Sequence, residues 1–274
     1  MGEYIHLFQT VNEYNTARAN DYLEPWGSYI LENERVNYNK TREEIPLTFE
    51  IHSEGHINWT IAGQQQPITL EYKKNDGRWE RITSTEIAIA LMASSGDTIQ
   101  FRAPEGVTYD TMGTNLSNHT SFADTSCQFT VKGNVMSLLD GTNFSTMKTL
   151  RSGGTFCCLF EGCAITDASD LILPATTLMP NCYSFMFIGC TALTQVPKLP
   201  AATLAERCYE SMFQYCSNLN YVECLATDIS ASNCTTNWMN GVQTTSGTFV
   251  KAPSMTGWAT GNNGIPNNWT VIDE

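Results

Sequence analysis

The feature that most constrains this chain is a repeat of 26 residues. The segment CYSFMFIGC, which begins at Cys182, is followed 26 residues later by CYESMFQYC, which begins at Cys208. Degraded copies precede it at 159–165 and follow it at 234–239. One such unit cannot bury its own apolar face, so repeated units have to stack on one another. The sequence therefore predicts a stack of about four imperfect coils between residues 156 and 258.

Each repeat has two halves. The half Cys-Tyr-x-x-Met-Phe-x-x-Cys places apolar residues at helical spacing, so it predicts a helical face. The half Leu-x-x-Val-x-x-Leu-Pro is extended, and a period between 20 and 29 residues is typical of leucine-rich-repeat solenoids. Because Pro197 cannot donate a hydrogen bond to a ladder, we expect a short or displaced ladder in the second coil.

A short stack exposes its core at both ends and needs covers there. The domain that precedes the repeats can cover the first coil. The tail of the chain can cover the last one through its apolar residues, which are Trp258, Pro266, Trp269 and Val271.

The chain has ten cysteines, and nine of them lie in the repeats. Six recur in two columns: Cys163, Cys190 and Cys216 in one, and Cys182, Cys208 and Cys234 in the other. We interpret them mainly as small buried apolar residues stacked in ladders. Disulfides between coils and a metal site are the alternatives. The vicinal pair Cys157-Cys158 is a poor arrangement for zinc, and the repeats contain no histidine with which a cysteine could pair.

Residues 45–135 alternate apolar and polar residues in short runs, which predicts a β-sandwich of the immunoglobulin type. The runs are 47–51, 57–61, 68–72, 79–82, 99–103 and 127–131, with an Asp76-Gly77 turn in a hairpin. The polar segment 106–126 is predicted to be a long loop. Residues 136–155 are predicted to connect this domain to the solenoid with its cap, residues 156–274. The expected class is mainly β with short helices.

Residues 1–44 are predicted to form a separate arm, with a helix over 11–19 and a hairpin between 28–31 and 35–38. Elements this small are marginal alone and need a surface to pack on. That surface is either the rest of the chain or another subunit, in a larger assembly or a homo-oligomer. The aromatic residues expected to dock are Tyr4, Phe8, Tyr14, Tyr22, Trp26 and Tyr29.

Composition excludes several functions. The formal net charge is −13 and is spread along the chain, which argues against binding to nucleic acid or to anionic membranes. No apolar run is long enough to span a membrane, and residues 1–10 do not resemble a secretory signal. His52 and His56 flank Gly55 without a zincin pattern, and no catalytic, cofactor-binding or metal-binding motif is recognisable.

The surface of the extended halves is the remaining candidate for function, because solenoids commonly bind ligands through that regular face. Four residues fall between the inward-facing apolar positions and are the expected ligand face: Gln195, Lys198, Tyr221 and Glu223. Plain solvated surface is the alternative interpretation.

The pattern Met-Phe-x-x-Cys-x-x-Leu-x-x-Val-Pro-x-Leu-Pro-Ala-x-x-Leu at 186–204 resembles the BspA-like leucine-rich repeats of Bacteroidetes, and the likeness extends over about 45–274. The opening segment is similar to N-terminal segments of phage and prophage structural proteins from the same bacteria. These resemblances imply extracellular display and adhesion without catalysis. We expect a virion fibre or decoration protein that presents its repeats to a host-surface glycan or protein. A bacterial adhesin whose signal has been removed and a glycan-active enzyme are the alternatives.

Overall fold

The structure is a computed structural model that describes residues 6–8, 27–31, 34–38, 41–63, 65–85 and 89–274. The chain is mainly β, which confirms the predicted class. The helices within these ranges are three short 3-10 helices, Arg42–Glu44, Val135–Leu138 and Phe144–Thr146. None of the helices in the described residues is long and apolar enough to cross a membrane.

Three strands lie near the start of the chain: β1 (His6–Phe8), β2 (Gly27–Leu31) and β3 (Glu34–Tyr38). β1 is parallel to β2, and β2 is antiparallel to β3 with Leu31 opposite Glu34, which is the predicted hairpin pairing. The predicted helix over 11–19 lies outside the described residues.

Two sheets are formed mainly by residues 45–134, which we call the sheet region. Their strands are β4 (Leu47–Ile51), β5 (Gly55–Ala62), β6 (Thr69–Lys74), β7 (Glu80–Thr83), β8 (Ile89–Ala93), β9 (Thr98–Arg102), β10 (Gly113–Asn115), β11 (Asn118–Ser121), β12 (Phe129–Asn134), β13 (Ile165–Asp167) and β14 (Leu171–Ile172). The four-stranded sheet has the order β10-β11-β5-β8, and the seven-stranded sheet has the order β13-β12-β4-β9-β6-β7, with β14 also paired to β12.

The six apolar runs of the sequence correspond to β4, β5, β6, β7, β9 and β12, and β6 and β7 form the predicted hairpin. The prediction of a long loop over 106–126 is wrong, because β10 and β11 lie within it. These strands carry polar residues such as Asn118 and His119 instead of an apolar alternation, so the pattern did not reveal them. β8, in the same sheet, was also not predicted.

Aromatic side chains fill the space between the two sheets. Phe122, which follows β11, lies 5.0 Å from Phe49 of β4 and 4.7 Å from Trp59 of β5, measured between ring centroids. All three side chains are fully buried. Each aromatic pair of this kind stabilises the fold by about 0.5–1.5 kcal/mol beyond the contribution of buried apolar area. The alternating strands thus meet in a single aromatic core.

Residues 150–274 form a series of stacked coils, which we call the coil stack. The extended halves pair in parallel, through β15 (Tyr221–Cys224), β16 (Thr248–Lys251) and β17 (Thr270–Asp273). The second coil has no named strand and joins the third through isolated bridges, including Gln195 to Tyr221 and Leu199 to Cys224. The short ladder expected around Pro197 is therefore confirmed.

The prediction of a helical face in the other half of each repeat is wrong. Residues 153–162, 180–189, 206–215 and 232–241, the turn segments, consist of consecutive turns. In the second coil, the N–H of Tyr183 donates to Cys208 O in the next coil, whereas the N–H of Ser184 donates to Asn181 O three residues back. Successive N–H groups continue to alternate in this way along the segment. Backbone groups that would bond within a helix are therefore also used to bond neighbouring coils to one another.

The alternation requires a left-handed residue at every fourth position. In the second coil these residues are Asn181, Phe185 and Gly189, with φ of 57°, 59° and 73°. Glycine and asparagine adopt this conformation readily, but other residues pay roughly 1–2 kcal/mol. A left-handed residue every four positions also brings apolar side chains to one side at helix-like spacing, which explains the wrong prediction.

Aromatic and cysteine side chains form columns through the coil stack. Phe160, Phe187 and Phe213 stack at 5.4 and 5.9 Å between successive ring centroids. Beside them, Cys190 Sγ donates to Phe160 O at 3.1 Å, and Cys216 Sγ donates to Phe187 O at 3.1 Å. All ten cysteines are buried, as the column interpretation expects.

The sheet region covers the first coil by taking the place of a preceding one. Phe122 N donates to Leu159 O, just as Phe160 N donates to Met186 O in the next step of the stack. Phe122 stacks on Phe160, and Cys163 Sγ donates to Phe122 O at 3.2 Å. Parallel pairing of β12 with β13 and β14 continues the ladder on the extended side.

The tail covers the last coil through two of the predicted residues. Trp258 stacks on Trp238 with ring centroids 5.2 Å apart, and Trp269 is buried. Pro266 is half-buried. The assignment of Val271 to the cover is wrong, because β17 is the outer strand of its sheet and Val271 is 44% exposed.

Candidate ligand-binding face

A groove of about 480 Å³ opens on the extended side of the coil stack, beside the 3-10 helix Arg42–Glu44. Its apolar part comes from β14 and from the Leu173-Pro174 and Pro200 steps of the first two coils. The residues that line it are Arg42, Glu43, Lys148, Ser169, Leu171, Ile172, Leu173, Pro174, Thr176, Lys198, Pro200 and Glu223.

Backbone pairing fixes the floor of this groove. Leu171 of β14 lies opposite Gly133 of β12, which joins the first coil to the sheet region. In the following coils, Leu199 N donates to Glu223 O and so holds Pro200 beside the third coil. Proline lacks an N–H, so it leaves no unpaired donor at the groove surface.

The structure brings the four predicted ligand-face residues together. Gln195 pairs with Tyr221, and Lys198 Nζ lies 2.7 Å from Glu223 Oε1 on the adjacent coil. Gln195 and Lys198 are exposed, whereas Tyr221 and Glu223 are half-buried. Lys198 and Glu223 line the groove, whereas Gln195 and Tyr221 do not belong to its lining. The four therefore form one continuous surface.

Charges on this surface are partly compensated. Lys198 also forms an ion pair with Glu274, and the hydrogen bonds to Glu223 and Glu274 raise the pKa of Lys198. Arg42 forms an ion pair with Asp170. Burial, followed by the charge of Glu223, raises the pKa of Tyr221. Lys148 has no ion-pair partner among the described residues, so it is the cation most available to a bound anion.

Sequence reasoning missed Arg42 and Lys148 because neither belongs to the repeats. It also missed the apolar floor, although the recurrence of Leu-Pro-Ala at 173–175 and 199–201 was a signal for it. A second, open depression of about 510 Å³ was not predicted. It is lined by hydroxyl and amide side chains from two turn connections, Ser217, Asn218, Asn220, Gln243, Thr244, Thr245 and Ser246.

The residues predicted for assembly docking fall in the first part of the chain. Phe8 lies in β1 opposite Leu31, and Tyr29 lies in β2 between its partners His6 and Val36. The remaining four lie outside the described residues: Tyr4, Tyr14, Tyr22 and Trp26.

His52 and His56 make separate contacts with hydroxyl groups of the sheet region. His52 Nε2 is 2.6 Å from Thr130 Oγ1, and His56 Nδ1 is 2.9 Å from Ser126 Oγ.

Comparison of the chain with protein-family models, with curated proteins and with solved structures finds no match in any of the three.

Proposed function

We propose that this chain is a non-enzymatic, surface-displayed interaction protein that binds a surface glycan through the groove on the extended side. The groove carries the proposal because it combines an apolar floor with exposed cations on a rigid backbone. Sugar rings present apolar C–H faces together with hydroxyl and acidic groups, so a surface of this composition suits them.

The charge pattern favours a glycan that bears a carboxylate or sulfate. Arg42 and Lys198 are already paired with carboxylates of the chain, whereas Lys148 has no such partner among the described residues. An acidic sugar that rests on the half-buried Ile172 and Pro200 would place its anion near Lys148. The ion pair of Lys198 with Glu274 is exposed and is worth only about 0–1 kcal/mol, so a ligand can replace it.

The proposed architecture is a β-sandwich over 45–135, a leucine-rich-repeat solenoid with its cap over 156–274, and a docking arm over 1–44. Parallel pairing of the coils and the replacement of a preceding coil by Phe122 support it. In this arrangement the arm attaches to a larger assembly, which we take to be a virion, and the solenoid projects outward.

Glycan binding is tested by applying the whole protein to an array of neutral, carboxylated and sulfated glycans. We expect binding to acidic glycans, a loss of about tenfold or more in Lys148→Glu, and a smaller loss in Lys198→Ala. Arg81→Ala is the matched control, because Arg81 is an exposed cation at β7, outside the groove lining. Equal binding by Lys148→Glu and the wild type would overturn the groove assignment.

Display on an assembly is tested separately by deleting residues 1–40. This cut keeps the Thr41 capping box and the 3-10 helix that lines the groove. The truncated protein should fold and bind glycan but fail to incorporate into particles. Incorporation without the arm would contradict the virion proposal, and retention by bacterial cells would favour the adhesin alternative. Release of sugar products from the array would instead indicate an enzyme.

A further inference from the structure

Three potential metal ligands from both regions meet at the junction between the sheet region and the coil stack. His119 comes from β11, and Cys158 and Glu161 come from the first turn segment. One ligand atom from each residue lies within 4.8 Å of the other two. No pattern in the sequence connects these residues, because 39 positions separate His119 from Cys158.

His119 is not an ordinary core histidine. The residue is only 7% exposed. Its Nδ1 atom is buried and has no hydrogen-bond partner in the described part of the chain. A buried polar atom without a partner costs about 1–3 kcal/mol, so such atoms usually have a role or a bound species. A metal ion bound at this place would be such a species.

The vicinal cysteines lie apart from the two cysteine columns. The positions that correspond to Cys157 and Cys158 in the second coil hold Ser184 and Phe185, so column packing does not explain the pair. The φ of Cys158, 59°, is that of the regular left-handed position of its turn segment, as at Phe185 in the second coil, so only the side chain of Cys158 is unusual. Its Sγ lies 3.5 Å from Cys157 Sγ.

From this geometry we propose a zinc(II) site formed by His119, Cys158 and Glu161, with water as the fourth ligand. Nitrogen, sulfur and carboxylate donors in a tetrahedral set suit zinc better than magnesium or calcium. Binding replaces the thiol proton of Cys158, which leaves to solvent as the zinc–sulfur bond forms, and no electron is transferred. Cys157 lies beside the site rather than in it, because its Sγ accepts a hydrogen bond from Ser184 Oγ at 3.3 Å.

The site would join the two regions of the molecule. β11 contributes one ligand, and the first coil contributes the others, so the metal would hold the sheet region on the coil that it covers. This role is independent of the glycan groove, which lies on the extended side of the stack.

The experiment measures metal bound by the full chain after purification under reducing conditions and dialysis against zinc sulfate. We expect about one zinc per chain. Replacing zinc with cobalt(II) should give tetrahedral d–d bands and a sulfur-to-cobalt charge-transfer band. His119→Gln and Cys158→Ser should lose most of the bound metal and the charge-transfer band, whereas Glu161→Gln should weaken binding. Cys157→Ser should keep the charge-transfer band, because only the thiolate of Cys158 binds the metal.

Cys190→Ser is the matched control, since Cys190 is equally buried but has no histidine in its column. It should bind zinc and cobalt like the wild type. Absence of stoichiometric zinc in the wild type would overturn the proposal. Equal binding in Cys158→Ser, or a Cys157–Cys158 disulfide in the reduced wild type as detected by peptide mass spectrometry, would overturn it as well.

Discussion

The sheet region and the coil stack bury similar side chains but organise their backbone differently. In the sheet region, β4 bonds to β9 on one side and to β12 on the other, so distant parts of the chain support each strand. In the coil stack, half of the amide groups of a turn segment bond within the coil and half bond to the next one. Each coil therefore depends on its two neighbours alone, and damage should spread differently in the two regions.

The largest expected effect distinguishes the regions directly, through a pair of buried tryptophans. Trp59 Nε1 donates to Ile68 O at 3.0 Å in the sheet region, and Trp238 Nε1 donates to Gly264 O at 2.8 Å in the coil stack. Replacing either with alanine should destabilise the protein by about 3–5 kcal/mol, measured by urea unfolding. Hydrogen exchange should show lost protection near residues 207–274 for Trp238→Ala and throughout the sheet region for Trp59→Ala.

Local damage is the critical part of that prediction. If Trp238→Ala lowers the protection of β4 and β9 as much as that of β15 and β16, the two regions unfold as one unit. The two regions would then differ in hydrogen-bond geometry but not in their stability against unfolding.

The second effect is a loss of stability at alkaline pH that originates mainly in the coil stack. Burial raises the pKa of Cys182 and of Cys224 from 9.0 to about 12. Below pH 9 both the folded and unfolded states keep these protons. Between pH 9 and 12 only the unfolded state loses them, so each thiol should lower the free energy of unfolding by about 1.4 kcal/mol per pH unit. Urea unfolding across this range measures the slope.

A pair of variants in β15 isolates the thiol. Cys224→Ala should reduce the slope by the contribution of one thiol. Val222→Ala removes a buried side chain from the same strand without a titrating group, so it should lower stability and leave the slope unchanged. Identical slopes in Cys224→Ala and the wild type would contradict the assignment.

The third effect concerns the left-handed positions that both regions contain. Gly189 in the coil stack has φ of 73°, and Gly96 in the sheet region has φ of 90°. A Cβ atom at Gly96 would meet nothing within 4 Å, and one at Gly189 would only touch Gly162 at 3.8 Å. Replacing either with alanine should therefore cost about 1–2 kcal/mol of unfolding free energy through backbone strain alone.

Gly257 provides the control for this comparison, because its φ is not positive and an added Cβ would only approach Met255 Cε at 3.6 Å. Gly257→Ala should change stability by less than about 0.5 kcal/mol. A much larger loss of unfolding free energy at Gly189 than at Gly96 would show that neighbouring coils accommodate an added Cβ atom less well than the 3.8 Å distance to Gly162 indicates.

The smallest effect has the opposite sign. Tyr183 is buried in an aromatic column, and its hydroxyl group has no hydrogen-bond partner among the described residues. Tyr183→Phe should raise the free energy of unfolding by about 1 kcal/mol because it removes an unsatisfied polar atom. Tyr109 of the sheet region donates to Thr69 O at 2.7 Å, so Tyr109→Phe should lower stability by a similar amount. A loss of stability in Tyr183→Phe would reveal a partner for its hydroxyl.

The sequence predicted the parts of the fold that repeat or alternate. The 26-residue period, the extended Leu-Pro half and six strands of the sheet region all follow from apolar spacing. The turn segments did not, because a left-handed residue every four positions gives the same spacing as a helix. Asn181, Gly189 and Asn233 were the available signals, since asparagine and glycine tolerate that conformation.

The candidate sites divide in the same way. Lys198 and Glu223 could be predicted because they lie at equivalent outward positions of adjacent coils. Lys148 and His119 could not, since each comes from a segment without periodicity and reaches its site only through tertiary packing. The fold of the repeats was therefore more predictable than the surfaces that the repeats form with the rest of the chain.

The alternating hydrogen bonds of the turn segments give the stack a direction. Each coil offers amide groups to the following coil and carbonyl groups to the preceding one, and Phe122 supplies the amide group that the first coil would otherwise lack. A chain that gained or lost one whole coil would present the same two faces to its covers. Adding or removing one coil would thus change the length of the coil stack by about 4.8 Å without any change to the covers at either end.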